Sequence, residues 1–201
     1  MTYHDAVERL RERTEIPLFA DAPWDEALGD AIRSMAPEEL FPGKEIVDPQ
    51  AGVAALIGLR LWNDEFAAAH NLAQGLDDAT GSYWHALCHR REGHRDRGLE
   101  ANLDNTRHWF RRVGRHPVYD EVYRAARNIL GEAGYGFRWA TEAQALLEQR
   151  GEWDPMVMVD WVDQVERGVL SPATRGLLEE IQWREIDALT DWCAQQAVGK
   201  E

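Results

Sequence analysis

AGVAALIGLRLW, Ala51 to Trp62, is apolar on nearly every face, and Arg60 is its one charged residue. The run falls short of the roughly 18 residues that mark a membrane span, so it reads as a helix enclosed on all sides by protein. Asp48-Pro49 ahead of it offers a helix start, and Asn63-Asp64-Glu65 behind it is a capping-type signal for the next helix. A central core helix over 50–62 is therefore expected, with the other elements packed around it.

Working outward from this helix, Phe66 to Leu76 carries Ala67, Ala68, Ala69 and Ala73, small enough for close approach of a neighbour. The link between the two helices is so short that they must be antiparallel. Asp77 to Ser82 is a turn, with Thr80 or Ser82 as the cap of a helix over 84–92 that Gly93 ends. Residues 94–104 show no firm apolar period and read as a loop. Asn105 then caps a helix over 106–113, which Gly114 and His116-Pro117 stop. Helical spacing returns from Val118 to Gly131. A turn at Gly134-Tyr135-Gly136 follows, then helices over 141–149, 155–165 and 172–198. Upstream, a short amphipathic helix over 5–13 and a second from Ala22-Pro23-Trp24 to about Met35 make residues 1–48 a peripheral N-terminal helical segment. Nothing reads as a strand. The expected fold is all-α, a single domain over 1–201 built of antiparallel helical hairpins.

A chain of 201 residues fits one domain with one core, and nine tryptophans with 44% hydrophobic residues argue for a folded state. The formal net charge of -14 argues against nucleic acid and anionic membranes as partners. No run is long enough to span a membrane and no secretory leader stands out, so the cytoplasm is the expected compartment. Cys88 and Cys193 each sit in an apolar helical pattern and are expected to be free, buried thiols. Nothing in the pattern specifies an oligomeric state.

The chemically unusual stretch is Ser82 to Pro117, which holds five of the seven histidines. Its eight arginines (90, 91, 95, 97, 107, 111, 112 and 115) face four acidic residues (Glu92, Asp96, Glu100 and Asp104), a net of +4, which leaves -18 for the rest of the chain. Such an island is either an anion site or a set of guanidinium groups paired with carboxylates of neighbouring helices. His85, His89 and Glu92 fall at i, i+4 and i+7, in line on one helical face, a spacing that could hold a divalent metal ion or relay protons. It is not the zinc-protease motif, since Ala86 stands where that motif has glutamate. His70 and Gln74, four apart on the preceding helix, can come opposite that line and close a polar pocket. If Arg90 or Arg91 met Arg111 or Arg112, their repulsion would require an acidic ligand or a buried carboxylate such as Glu92. Trp84, Trp109 and Phe110 read as core rather than as a stacking platform. Cys88 lies off the histidine face, which argues against a Cys-His pair.

His85-Ala86-Leu87-Cys88-His89-Arg90-Arg91-Glu92-Gly93, Asn105 and Trp109-Phe110-Arg111-Arg112-Val113-Gly114-Arg115-His116-Pro117 together resemble the signature of a family of functionally uncharacterised all-helical proteins from bacteria and fungi. That signature has the form HAxxHRREG, an asparagine, then WFRRVGxHP. Weaker likeness extends over about three quarters of the chain. The link from Gly93 to Asn105 is longer here, with His94 where the pattern has an acidic residue. The resemblance implies a helical fold and a site at these residues, and no activity.

The leading functional expectation is a pocket of His70, Gln74, His85, His89, Arg90, Arg91, Glu92, Arg111 and Arg112 that binds a small polar or anionic molecule. The alternatives are a metal-dependent, hydrolase-type enzyme with a divalent metal on His85, His89 and Glu92, and an interaction scaffold in which the motif only locks helices together.

Overall fold

The computed structural model describes residues 1–134 and 136–199, and these contain eleven helices and no strand. The run that begins at Ala51 becomes α4 (Pro49–Trp62), capped by Asp48, whose side chain accepts from the backbone N–H groups of Gln50 and Ala51. Its long partner is α11 (Pro172–Val198), and the two pack more extensively than any other pair. Gly58 is what lets them approach: a Cβ there would lie 2.3 Å from Thr190 Oγ1. Leu59, Leu61 and Trp62 are fully enclosed, as the sequence predicts for an all-round apolar helix.

Helices α5 (Phe66–Ala73), α6 (Ala79–Glu92) and α7 (Leu99–Val113) fold back on one another beside α4, each packed on the next. Beyond them α8 (Tyr119–Ala133) pairs with α9 (Arg138–Arg150) and also lies on α11, while α10 (Pro155–Glu166) bridges α7 and α11. At the N-terminus α1 (Tyr3–Arg11), α2 (Glu26–Ile32) and α3 (Pro37–Leu40) all rest on α4. Leu10, Leu18 and Ile32 of this segment are fully buried in the same hydrophobic cluster as α4 and α11. The turn expected at Gly134-Tyr135-Gly136 includes Tyr135, which lies outside the described residues.

Three local expectations are corrected. Residues 94–104 are not all loop, because α7 begins at Leu99. Its inward face is Asn102, Leu103, Thr106, Phe110 and Val113, and the apolar spacing of Leu99, Leu103, Phe110 and Val113 begins within the polar stretch that reads as a loop. Asn102 earns its buried place by donating to the carbonyls of Gly93 and Arg95 at 2.9 Å, which ties the link to the start of the helix. Asn105 is consequently inside α7 and not its cap. Asp78, rather than Thr80 or Ser82, caps α6, its carboxylate accepting from Gly81 N–H at 2.7 Å. Asn63 and Asp64 do not cap α5 either. Asn63 exchanges hydrogen bonds with the backbone of Asp25, and Asp64, at φ +64°, turns its carboxylate into the core.

Candidate metal centre

α6 is buried on all sides, including its polar residues His85, His89, Arg90 and Arg91. A helix in that position must pair its charged side chains within the protein, since an unpaired buried charge costs several kcal/mol. It does so by sending them in two directions, and Trp84 Nε1, Arg90 Nη1 and Arg91 Nε are the atoms left without a hydrogen-bond partner.

Arg90 and Arg91 face the core. Arg90 Nη2 donates to Glu185 Oε2 of α11 at 2.6 Å, and the same glutamate accepts from Tyr83 O–H at 2.7 Å and Trp153 Nε1–H at 3.3 Å. Arg91 Nη2 donates to Asp64 Oδ1 at 2.5 Å, while Arg13 Nη2 takes the other oxygen at 2.5 Å. Burial pulls the Arg91 pKa down to about 10 against the opposing pull of Asp64, so the group stays charged at neutral pH. Core carboxylates, Glu185 and Asp64, thus pair with these two arginines in place of Glu92 or an acidic ligand. The structure does not bring Arg111 or Arg112 to Arg90 or Arg91. Both are exposed, and the Arg112 guanidinium stands 5.2 Å from the centroid of the Trp109 ring.

His85 and His89 face the opposite way, toward α5 and α7. His70 of α5 meets them there: its Nε2 is 3.3 Å from His89 Nε2, and its ring is 4.4 Å, centroid to centroid, from that of His85. One nitrogen from each of the three imidazoles lies within 4.8 Å of the others. Gln74 Nε2 stands 3.5 Å from His70 Nδ1 at the exposed rim. Glu92 does not join the three nitrogens. It stands behind them, its carboxylate 2.8 Å from His89 Nδ1. Because a carboxylate only accepts, Nδ1 carries the proton and the Nε2 lone pair is left facing His70.

α7 supplies the remaining wall. Asn105 Nδ2 lies 2.9 Å from His89 Nε2, and Trp109, one turn on, stacks on His85 with rings 12° apart and centroids 3.9 Å apart. Local reading takes Asn105 as a cap and Trp109 as core, and only the resemblance sets them beside the histidines. The signal was their i, i+4 spacing, which becomes visible only once α7 is extended back to Leu99.

For His70 and His85 the electrostatics favour the neutral ring. Burial, with help from His70 and His89, holds the His85 pKa down to about 3, and burial next to His89 lowers that of His70. Burial would raise the Glu92 carboxyl, but the hydrogen bond to His89 and the neighbouring His89, His70 and Arg97 side chains outweigh it and leave it below the usual range. Cys88 is fully enclosed and burial pushes its thiol up, so it has no nucleophilic character here. A surface groove of about 770 Å³ lies elsewhere, between α1 and the end of α11, and shares no residue with the imidazoles.

Three imidazoles converging from two helices, with a carboxylate on the far nitrogen of one, are a donor set suited to a borderline divalent cation such as zinc. A tetrahedral site with Zn–N of about 2.0–2.1 Å has an N···N edge of about 3.3–3.4 Å. The His70–His89 separation of 3.3 Å matches that edge, and His85 must move closer to complete the face. No described helix is long and apolar enough to cross a membrane. A scan against protein-family models, a search of curated proteins and a search of solved structures found no match to this chain.

Proposed function

We propose that the protein binds a divalent transition-metal ion on His70, His85 and His89 and uses it as a Lewis acid toward water or a small oxygen-bearing molecule. The observation that carries this reading is the convergence of the three imidazole nitrogens, within 4.8 Å of one another, with Glu92 set against His89 Nδ1. Three neutral ligands leave the full charge of the cation unneutralised and a coordination position open, the arrangement that acidifies a bound water. A small polar or anionic ligand enters this reading through the metal. Arg90 and Arg91 have no part in its capture, being committed to Glu185 and Asp64.

Compared with the metal set expected from sequence, His70 takes the place of Glu92, and Glu92 becomes the group that orients His89. The resemblance to the HAxxHRREG and WFRRVGxHP signature belongs to the same proposal. The two histidines of its first half, its asparagine and its tryptophan line the centre, and the arginine pair of that half holds the fold.

The test is elemental analysis of the full chain purified without a histidine tag, with calorimetric titration of zinc into the apoprotein. Stoichiometric metal is expected in the wild type, and its loss in His70→Ala and His85→Ala proteins that keep their helical circular dichroism. A wild-type protein that takes up no zinc, cobalt or nickel at micromolar concentration would end this reading.

A second reading is favoured by the buried ion pairs Arg90–Glu185 and Arg91–Asp64, whose polar atoms serve the packing of α6 on α11 and α4. Under it the histidines form a hydrogen-bonded seam and the whole motif is structural. It forecasts that His70→Ala destabilises the fold as much as it affects any ligand.

A further inference from the structure

The Asn105 side chain sits where a bystander would not. Its amide nitrogen, which can only donate, is 2.9 Å from His89 Nε2, and that nitrogen must accept because Nδ1 faces the Glu92 carboxylate. An imidazole nitrogen has one lone pair. A metal on His89 would take it, and the Asn105 N–H groups would be left half-buried without that acceptor. The nearest replacement is an atom bound to the same metal. A metal on that lone pair, about 2.0–2.1 Å from the nitrogen, displaces the amide, and in a tetrahedral site the fourth ligand lies about 3.3 Å from each ligating nitrogen, within reach of the displaced Asn105 side chain.

Resting on the metal reading above, we propose that Asn105 donates a hydrogen bond to the oxygen of the metal's exogenous ligand, and that the centre therefore selects oxyanions, carboxylates first, over ligands that offer no acceptor there. Trp109, stacked on His85, fills the α7 side of the centre, so the proposal takes the oxyanion to be small. Asn105 is a specificity residue in this scheme, and the three imidazoles alone hold the cation.

The experiment uses the full chain loaded with cobalt(II), whose visible absorption reports both loading and a change of the fourth ligand. Acetate and imidazole are titrated separately into wild-type and Asn105→Ala proteins. Both ligands coordinate the metal, but only acetate brings an oxygen that Asn105 can reach. The proposal expects acetate to bind about tenfold or more weakly to Asn105→Ala, the effect of one hydrogen bond to a charged acceptor. Imidazole affinity should be unchanged, and cobalt affinity equal or higher, because the competitor for the His89 lone pair is gone. An Asn105→Gln protein that recovers part of the acetate affinity would add support. Equal losses for acetate and imidazole, or no loss for acetate, would overturn the assignment while leaving the metal centre standing. Failure of the wild type to bind cobalt would overturn both.

Discussion

His89 makes more of its position than any other side chain, since its two nitrogens meet a carboxylate on one side and His70 and an amide on the other. Glu92 reaches the centre only through that ring. Glu92→Gln is accordingly expected to weaken zinc binding by about 10- to 100-fold with little effect on folding, measured by competition with a chromophoric chelator. His116 shows what a histidine does when it is only packed. It is enclosed by Tyr83, Tyr119 and Trp192, its Nδ1 accepts from Val118 N–H at 3.3 Å, and Thr80 Oγ1 lies 3.3 Å from Nε2. Burial, against a weak opposing pull from Asp78, lowers its pKa from 6.5 to about 4. The unfolded chain therefore takes up this proton first as pH falls, so the stabilising contribution is whole above pH 6.5 and is lost between 6.5 and 4. It amounts to roughly 3 kcal/mol at most. Urea unfolding followed from pH 7 to pH 4 should show the decline, and His116→Gln should flatten part of it.

Among the elements, the contact of α4 with α11 depends on a missing side chain. Gly58→Ala would set a methyl group 2.3 Å from Thr190 Oγ1 and 2.9 Å from its Cβ, and the Thr190 hydroxyl is itself tied to Ile186 O at 2.6 Å. A loss of about 1–3 kcal/mol is expected in denaturant unfolding, partly recovered by adding Thr190→Ala. The clamp of Arg13 and Arg91 on Asp64 joins the N-terminal segment, the α4–α5 corner and α6. Asp64→Ala strands two buried guanidinium groups, and a cost of about 3–5 kcal/mol follows, read from the shift in urea midpoint. α7 is the element least legible beforehand. Its inward face mixes Leu103, Phe110 and Val113 with Asn102 and Thr106, whose side chains donate to carbonyls of the link and of the helix itself. Its apolar spacing starts at Leu99, inside the polar stretch that reads as a loop.

For the molecule as a whole, one hydrophobic cluster runs from α1 to α11, and Gln182 of α11 donates to the carbonyls of Pro17 and Leu18. Removing residues 1–18 takes away Leu10, Leu18 and the Arg13 arm of the clamp. The expected result is loss of cooperative unfolding by tryptophan fluorescence and circular dichroism together, rather than a stable shorter domain. The helical class, the central helix over 50–62 and the long final helix were all readable from residue order, because apolar spacing, Asp-Pro starts and glycine stops act within a few residues along the chain. The same reading marked 82–117 as chemically unusual and set His85, His89 and Glu92 in a line. Which way each side chain faces was left open. Whether Arg90 looks toward a ligand or toward Glu185, 95 residues away, depends on how α6 is rotated against α11. Whether His70 meets His89, 19 residues on, depends on how α5 returns beside α6. Those rotations come from the packing of the whole bundle, where burial allows no charge to go unpaired, and so only the three-dimensional arrangement could separate the arginines that hold the fold from the imidazoles that converge beside α5 and α7.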